Sequence, residues 1–309
     1  MKQGTSLGAN RTAISKPTLG NWLSILTLGL VWGGAFLGIA LTLRGYGPVQ
    51  TATGRLTLGA IAMIAIALLL PRSDGPRPTR AHVPYFLLIG FFGAALPFLL
   101  LSWGQTRVSS GFAGVAMSSV ALFVLPLAHF FVPGDTLNWR KGAGFLLGFL
   151  GVVILLGPGL VTEGWSGPET LGRLACLGAA CCYAIGSLTT RLAPPVDPIA
   201  LALSQLVVGA AFLFPFMLAT EGFPTEFPRA PTLALLALAL LPTALAAYLR
   251  VTVIRSAGPT FMSSVGFQVP IWAVIFGILI LGEPVSKSLF IALALILAGM
   301  ALTQVRRRS

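Results

Sequence analysis

Ser264, Gln268 and Trp272 follow one another at four-residue intervals in the apolar stretch from Gly258 to Glu283, so on a helix they share one face. Ser263 precedes them, and Pro270 falls between Gln268 and Trp272. Lipid does not call for such residues: polar side chains at depth are expensive and face protein or a water-filled cavity. An upstream stretch, Gly111 to Asp135, repeats the device, with Met117-Ser118-Ser119-Val120 standing where Met262-Ser263-Ser264-Val265 stand, and Pro126 for Pro270. Trp32 with Phe36 and Tyr183 with Ser187 form two more one-face pairs deep in apolar runs, and Tyr248 joins them as a candidate. Two readings of this set are open. Neutral hydroxyls and one amide among large rings can wall a pocket for a zwitterionic or uncharged metabolite with apolar bulk. The same residues can also pack helices together, with the serines bonded to their own backbone carbonyls.

The ionisable residues point away from catalysis. Asp74, Glu163, Glu169, Asp197, Glu221 and Glu226 fall in loops, and Asp135 and Glu283 at segment ends, where each is expected to cap the helix that follows. No apolar segment carries an interior carboxylate. Arg55 lies six residues into the second segment, close enough to the outer interface to snorkel there or else to pair helices, with carboxylate binding as the alternative. His129 is read as a hydrogen-bonded packing residue near the end of segment four. Cys176, Cys181 and Cys182 share one apolar segment without ligand spacing and are read as buried small residues. A membrane-embedded enzyme would need convergent acids, a nucleophile with its base, or metal ligands. No catalytic residue, metal or cofactor is expected.

The elements that must position these residues are membrane spans. Hydrophobic residues make up 56% of the chain and charged residues 9%, with a mean hydropathy of +0.90; soluble domains carry about 25% charged residues. Ten apolar runs of spanning length follow one another: 20–43, 49–70, 83–103, 111–132, 141–157, 170–192, 198–220, 232–254, 259–281 and 286–304. Continuous runs read as helices, since barrel strands would alternate. The first run is too long for the core of a cleaved signal peptide and is expected to remain as a span. The formal charge of +12 is scattered among loops and ends rather than gathered on one face, so no nucleic-acid partner is expected. With the N-terminus inside, the inner segments hold 14 lysines and arginines and the outer loops 5, which places both termini in the cytoplasm. Trp22, Trp103, Trp139 and Trp165 fall near segment ends, as interfacial anchors do.

The two halves correspond. Arg107 and Arg255, like Asp135 and Glu283, lie 148 residues apart, Gly59-Ala60 and Gly209-Ala210 lie 150 apart, and Trp32 and Tyr183 lie 151 apart. Five spans is an odd number, so a second copy must cross in the opposite sense. The expected fold is therefore an all-α membrane protein of ten transmembrane helices in a five-plus-five inverted repeat, residues 1–160 and 161–309. TrpGlyGlyAlaPhe at 32–36, GlnThrAlaThrGlyArg at 50–55, GlyPhePheGlyAlaAlaLeuProPhe at 90–98 and the two serine-proline spans resemble the EamA-type transporters of the drug/metabolite transporter superfamily. That resemblance covers nearly the whole chain. It implies a ten-helix transporter, and bacterial members that include amino-acid exporters.

The expectation that follows is an inner-membrane exporter of small metabolites, amino acids first, with a membrane-embedded enzyme or a multidrug exporter as alternatives. It would act as a monomer in the lipid bilayer by alternating access, without obligatory proton coupling. Pro97, Pro126, Pro242 and Pro270 lie in segments three, four, eight and nine and are candidate hinges, with static kinks as the alternative.

Overall fold

The computed structural model describes residues 17–69, 75–132, 137–284 and 286–304; of residues 158–163, 248, 251, 255, 259 and 260 it describes the backbone alone. The described residues form ten helical rods and no strand. They are α1 (Leu19–Thr42), α2 (Pro48–Leu69), α3 (Arg80–Gly104), α4 (Ser110–Phe131), α5 (Trp139–Glu163), α6 (Pro168–Leu192), α7 (Pro198–Thr220), α8 (229–257), α9 (259–281) and α10 (Lys287–Gln304). Eight are long and apolar enough to cross a membrane; α8 and α9 contain the shorter apolar helices Arg229–Leu245 and Val265–Leu281. Hydrocarbon offers no hydrogen bonds, so a chain this apolar must satisfy its backbone within each rod. The outward surface fits that environment, with Leu68, Leu69, Phe130 and Leu279 each more than three-quarters exposed. Trp22, Trp139 and Trp165 are exposed near rod ends.

Local sequence starts and stops the rods. Thr18 Oγ1 accepts from Asn21 N at the start of α1, Ser109 Oγ from Phe112 N at the start of α4, and Asp197 Oδ1 from Ile199 N and Ala200 N at the start of α7. α9 ends where Gly282 adopts a left-handed φ of 68° and Glu283 N returns to Gly277 O at 3.0 Å. α5 runs on to Glu163, beyond the expected limit of 157, so Glu163 closes a helix rather than sitting in a loop. Glu169 lies in the first turn of α6, ion-paired with Arg173.

The rods meet across small residues. α5 and α10 approach through Gly144 and Gly299: a Cβ on Gly299 would lie 2.6 Å from Gly144 O. α1 meets α9 through Gly29 and Gly33, and a Cβ on Gly33 would lie 2.4 Å from Trp272 Cβ and 2.9 Å from Val269 O. Contacts of this kind are how apolar rods associate where lipid removes the hydrophobic drive. Antiparallel packing gathers the rod ends into two faces. One, called here the basic end, holds the start of α1, the end of α10, the 76–82 segment bonded to the α6–α7 loop (Asp197 N to Pro76 O, 2.9 Å), and the end of α8 (Ser256 Oγ to Asn21 Oδ1, 2.7 Å). The opposite end joins Tyr46 to Thr232, 2.6 Å apart, and the α9–α10 loop to the start of α4.

Four rods are irregular. α3 contains a π-helical turn at Phe91–Ala95, and α8 one at Leu240–Leu245. These lie next to Pro97 and around Pro242, as proline's missing donor leads one to expect. In α4 and α9 the helix breaks instead at Ser118-Ser119 and Ser263-Ser264, while Pro126 and Pro270 sit inside the continuous helices Val120–Phe131 and Val265–Leu281. The serines explain the shift: Ser119 Oγ donates to Ala116 O at 2.5 Å and Ser264 Oγ to Phe261 O at 2.7 Å, three residues back.

The α1–α9 seam yields a stability test. Gly33→Ala must push backbone and the base of a tryptophan apart, and is expected to cost roughly 1–3 kcal/mol. Gly34→Ala, whose Cβ would meet Phe276 at an ordinary 3.4 Å, is expected to stay within about 0.5 kcal/mol of wild type or to stabilise the helix slightly. Thermal unfolding of the purified protein in detergent reads both; equal effects would show that the seam is not tight.

Candidate functional site

A cavity of about 730 Å³ lies among α1, α2, α3, α4, α6, α7, α8, α9 and α10. Its aromatic wall is Trp32, Phe36, Phe98 and Tyr183, with Phe98 and Tyr183 ring centroids 6.3 Å apart. Its polar groups include Ser118, Ser187, Gln205, Thr243, Ser263 and two cations, Arg55 and Arg250. No Asp or Glu among the described residues lines it. The chamber can therefore take a molecule with apolar bulk and hydrogen-bonding or anionic groups, and offers no counter-charge to a cation.

Among the described residues the chamber opens toward one end. The lining runs out along Thr190, Pro198 and Gln304 to the basic end, and Ser187, Arg250, Ser263 and Gln304 on that route are exposed. In the other direction it stops at Ile39 and Leu101, both buried, about one turn short of the rod ends. Beyond them the opposite end is fastened by two carboxylates on helix N-termini. Glu221, after α7, accepts from Val49 N and Gln50 N of α2 at 3.1 and 2.8 Å. Glu283, after α9, accepts from Ser110 N and Gly111 N of α4 at 2.6 and 3.0 Å. Each carboxylate meets two free amides and the positive end of a helix dipole. The expectation that Glu283 caps the helix following it is overturned. The left-handed Gly282 turns the chain back, so Glu283 reaches α4 and not α10. Asp135 and Asp74 lie outside the described residues.

Two polar contacts at the chamber wall trace to prolines. Pro97 cannot donate to Gly93 O, four residues earlier, and Gln205 Nε2 of α7 donates to that carbonyl at 2.7 Å. Pro242 likewise leaves Leu238 O, to which Thr243 Oγ1 donates at 3.1 Å. Arg55 Nε of α2 in turn donates to Thr243 Oγ1 at 3.1 Å. Trp32 Nε1 reaches the same turn, donating to Pro242 O at 3.1 Å. Arg55 therefore does not snorkel. It is 7% exposed, points inward, and its guanidinium lies 3.9 Å from the Phe98 ring centroid. Hydrogen bonding to α8 and stacking on Phe98 hold it at depth, where the short distance to the interface had suggested escape.

Of the residues singled out in the sequence, Trp32, Phe36, Ser118, Tyr183, Ser187 and Ser263 line the chamber, as do Pro242 and Pro270. Ser119, Ser264, Gln268, Trp272, Pro97 and Pro126 do not. Gln268 and Trp272 do share a face, but it is turned to Gly29 and Gly33 of α1, and Trp272 stacks on Phe276. The side chain of Tyr248 lies outside the described residues. His129 is exposed at the end of α4 and accepts from Leu137 N at 3.4 Å. The chamber residues that sequence reasoning passed over are Phe98, Gln205, Thr243 and Arg250. One signal was available: Arg55 and Gln205 lie 150 residues apart, the spacing of Gly59 and Gly209.

Comparison with known proteins agrees with this architecture. The family model described as "EamA-like transporter family" matches residues 19–157 and again 170–305. The chain is 27% identical over 92% of its length to the "Probable terminal-alkyne amino-acid exporter" of Streptantibioticus cattleyicolor, 93% of which is covered. It is 26% identical, over 90% of its length and 89% of theirs, to the inner membrane transporter YedA of Escherichia coli. A solved crystal structure superposes with a TM-score of 0.64 at 22% identity, covering 92% of this chain and 96% of that one, a likeness of fold. With the family model matching most of both halves, this chain belongs to the EamA-like transporter family.

Proposed function

We propose that this membrane transporter exports amino acids or closely related metabolites across the plasma membrane by alternating access, with both termini cytoplasmic. The observation that carries the proposal is the chamber open at the basic end and fastened shut at the other. A carrier at rest between cycles has that shape: a site at mid-depth, reached from one face, with a separable seal on the second. The basic bias makes the open end the cytoplasmic one, so a substrate of export enters from the side where it is made.

Ten rods, read as an inverted five-plus-five repeat, support the exchange of faces. The paired π turns of α3 and α8, and the paired serine breaks of α4 and α9, are the points where equivalent rods bend least expensively. Trp32, Phe36, Tyr183, Ser118, Ser187 and Ser263 form the binding surface in this proposal; Gln268 and Trp272 act on the α1–α9 seam. Amino acids are favoured by the exporter name of the Streptantibioticus relative and by a wall that joins aromatic bulk to neutral donors and cations without an acid. That no carboxylate among the described residues lines the chamber also supports movement without obligatory proton coupling.

Four measurements test the proposal. In proteoliposomes, apolar amino acids are expected to move down their gradient while cationic dyes do not, and a pH gradient alone is expected to drive no accumulation. Tyr183→Ala should weaken substrate binding about ten-fold by removing chamber wall. Concentrative uptake that His129→Gln abolishes would contradict the coupling claim. Cysteines engineered at positions 75 and 165 are expected to label from opposite sides of the membrane, and labelling from one side would end the inverted topology. For the seal, the Glu221→Gln/Glu283→Gln double variant loses charge-assisted bonds worth roughly 1.5–3 kcal/mol each. A cysteine placed at Ser118 should then react at least ten-fold faster with an impermeant thiol reagent added from outside, and an unchanged rate would show that the carboxylates do not hold the gate.

A further inference from the structure

Arg55 and Gln205 stand in corresponding places, 150 residues apart, and do the same structural job. Each reaches from its rod to an irregular turn beside a proline: Gln205 to Gly93 O directly, Arg55 to Leu238 O through Thr243. Gln205 shows that a neutral amide suffices for that job. A guanidinium at depth is far more costly than an amide, and one that is retained marks a site. The charge on Arg55 therefore needs a purpose beyond the turn.

The surroundings of Arg55 leave that purpose open to a ligand. Among the described residues no carboxylate lies within ion-pair distance of it, and only its Nε has a protein acceptor. Its terminal nitrogens donate to no described residue, although the group lines the chamber. The guanidinium lies over the Phe98 ring, 3.9 Å from its centroid. Tyr183, beside Phe98, brings a hydroxyl that no described residue bonds. Gly59, four residues after Arg55, makes room for the far side of the latch: a Cβ there would lie 2.8 Å from Thr243 Cγ2.

We propose that Arg55 is the receptor for a carboxylate of the transported molecule, which it holds against the Phe98–Tyr183 wall through its free terminal nitrogens. The inference deepens the chamber reading above and rests on it. A planar guanidinium presents parallel donors to a carboxylate, and among the described residues no acid lines the chamber to compete for them. Arg250, on the exposed route from the basic end, adds a second positive charge that draws anionic groups inward. Because Nε stays on Thr243 while the terminal nitrogens take the ligand, occupancy is felt at the π turn of α8, the same turn that Trp32 holds by Pro242 O.

The test uses the full chain in detergent and a panel of probes: L-phenylalanine, L-leucine and phenylacetate, which carry the carboxylate, against L-phenylalaninamide and phenethylamine, which lack it. Phenylglyoxal modification of Arg55, followed by peptide mass spectrometry, is expected to slow at least three-fold with the carboxylate probes and not with the others. Arg55→Gln should weaken binding of the carboxylates by roughly ten- to hundred-fold, the loss of charge-assisted bonds, and change binding of the amide and amine less than two-fold. Arg55→Lys, which keeps the charge without the fork, should fall between. Protection of wild-type Arg55 needs no variant to fold, so the proposal stays exposed to failure on the native protein. Equal protection by acids and amides, or no protection by any carboxylate, overturns it. If phenylacetate protects while neither amino acid protects nor is transported, the carboxylate site stands and the amino-acid reading fails.

Discussion

Two carbonyls that prolines deprive of their helical donors organise the middle of this protein. Lipid offers no hydrogen bond to repair such a loss, so the repair must come from a side chain, of another rod or of the same one. Gln205 supplies it to Gly93 O, and Thr243 supplies it to Leu238 O with Arg55 behind it. Each repair ties α2 or α7 to the irregular turn of α8 or α3, and the chamber opens beside both ties. Wall and bend are thus parts of one hydrogen-bonded unit.

The rest of the packing protects that arrangement. Glycines let rods approach until backbone meets side chain, as Gly33 does with Trp272, or backbone meets backbone, as Gly299 does with Gly144. Dispersion contacts made at such range replace the hydrophobic drive that lipid removes. The ends are treated differently from the middle. At the opposite end Glu221 and Glu283 bring formal charge to the free amides of two helix starts. Such charge-assisted bonds are strong, yet they lie at rod ends where water can replace them when the rods part. A seal of that kind differs physically from a glycine seam, which cannot be re-solvated without exposing backbone to hydrocarbon.

Much of this was legible from order and spacing. The paired serines, the prolines of α3 and α8, and the deep rings Trp32 and Tyr183 are visible as residues that lipid does not explain, and the structure brings both rings and one serine of each pair to the chamber. Gln268 and Trp272 carried the same signal but face α1, because a polar or aromatic stripe on a helix does not say which neighbour it meets. Arg55 was legible only in part, as a residue that either snorkels or pairs helices. Its distance from the interface permitted snorkelling, and only the position of Phe98 and Thr243 turns it inward.

By itself the sequence determined the helical membrane class, the approximate limits of the rods and the basic bias between their ends, because hydropathy, proline and lysine or arginine counts act locally along the chain. Tertiary structure alone decided which polar residues share a chamber, that α4 and α9 break at serines rather than at prolines, and that Glu283 caps a helix more than 170 residues away in the chain. Those outcomes depend on which rod lies opposite which. Helix rotation is fixed by the fit of small residues against large ones over whole rods, a collective property that no single spacing encodes.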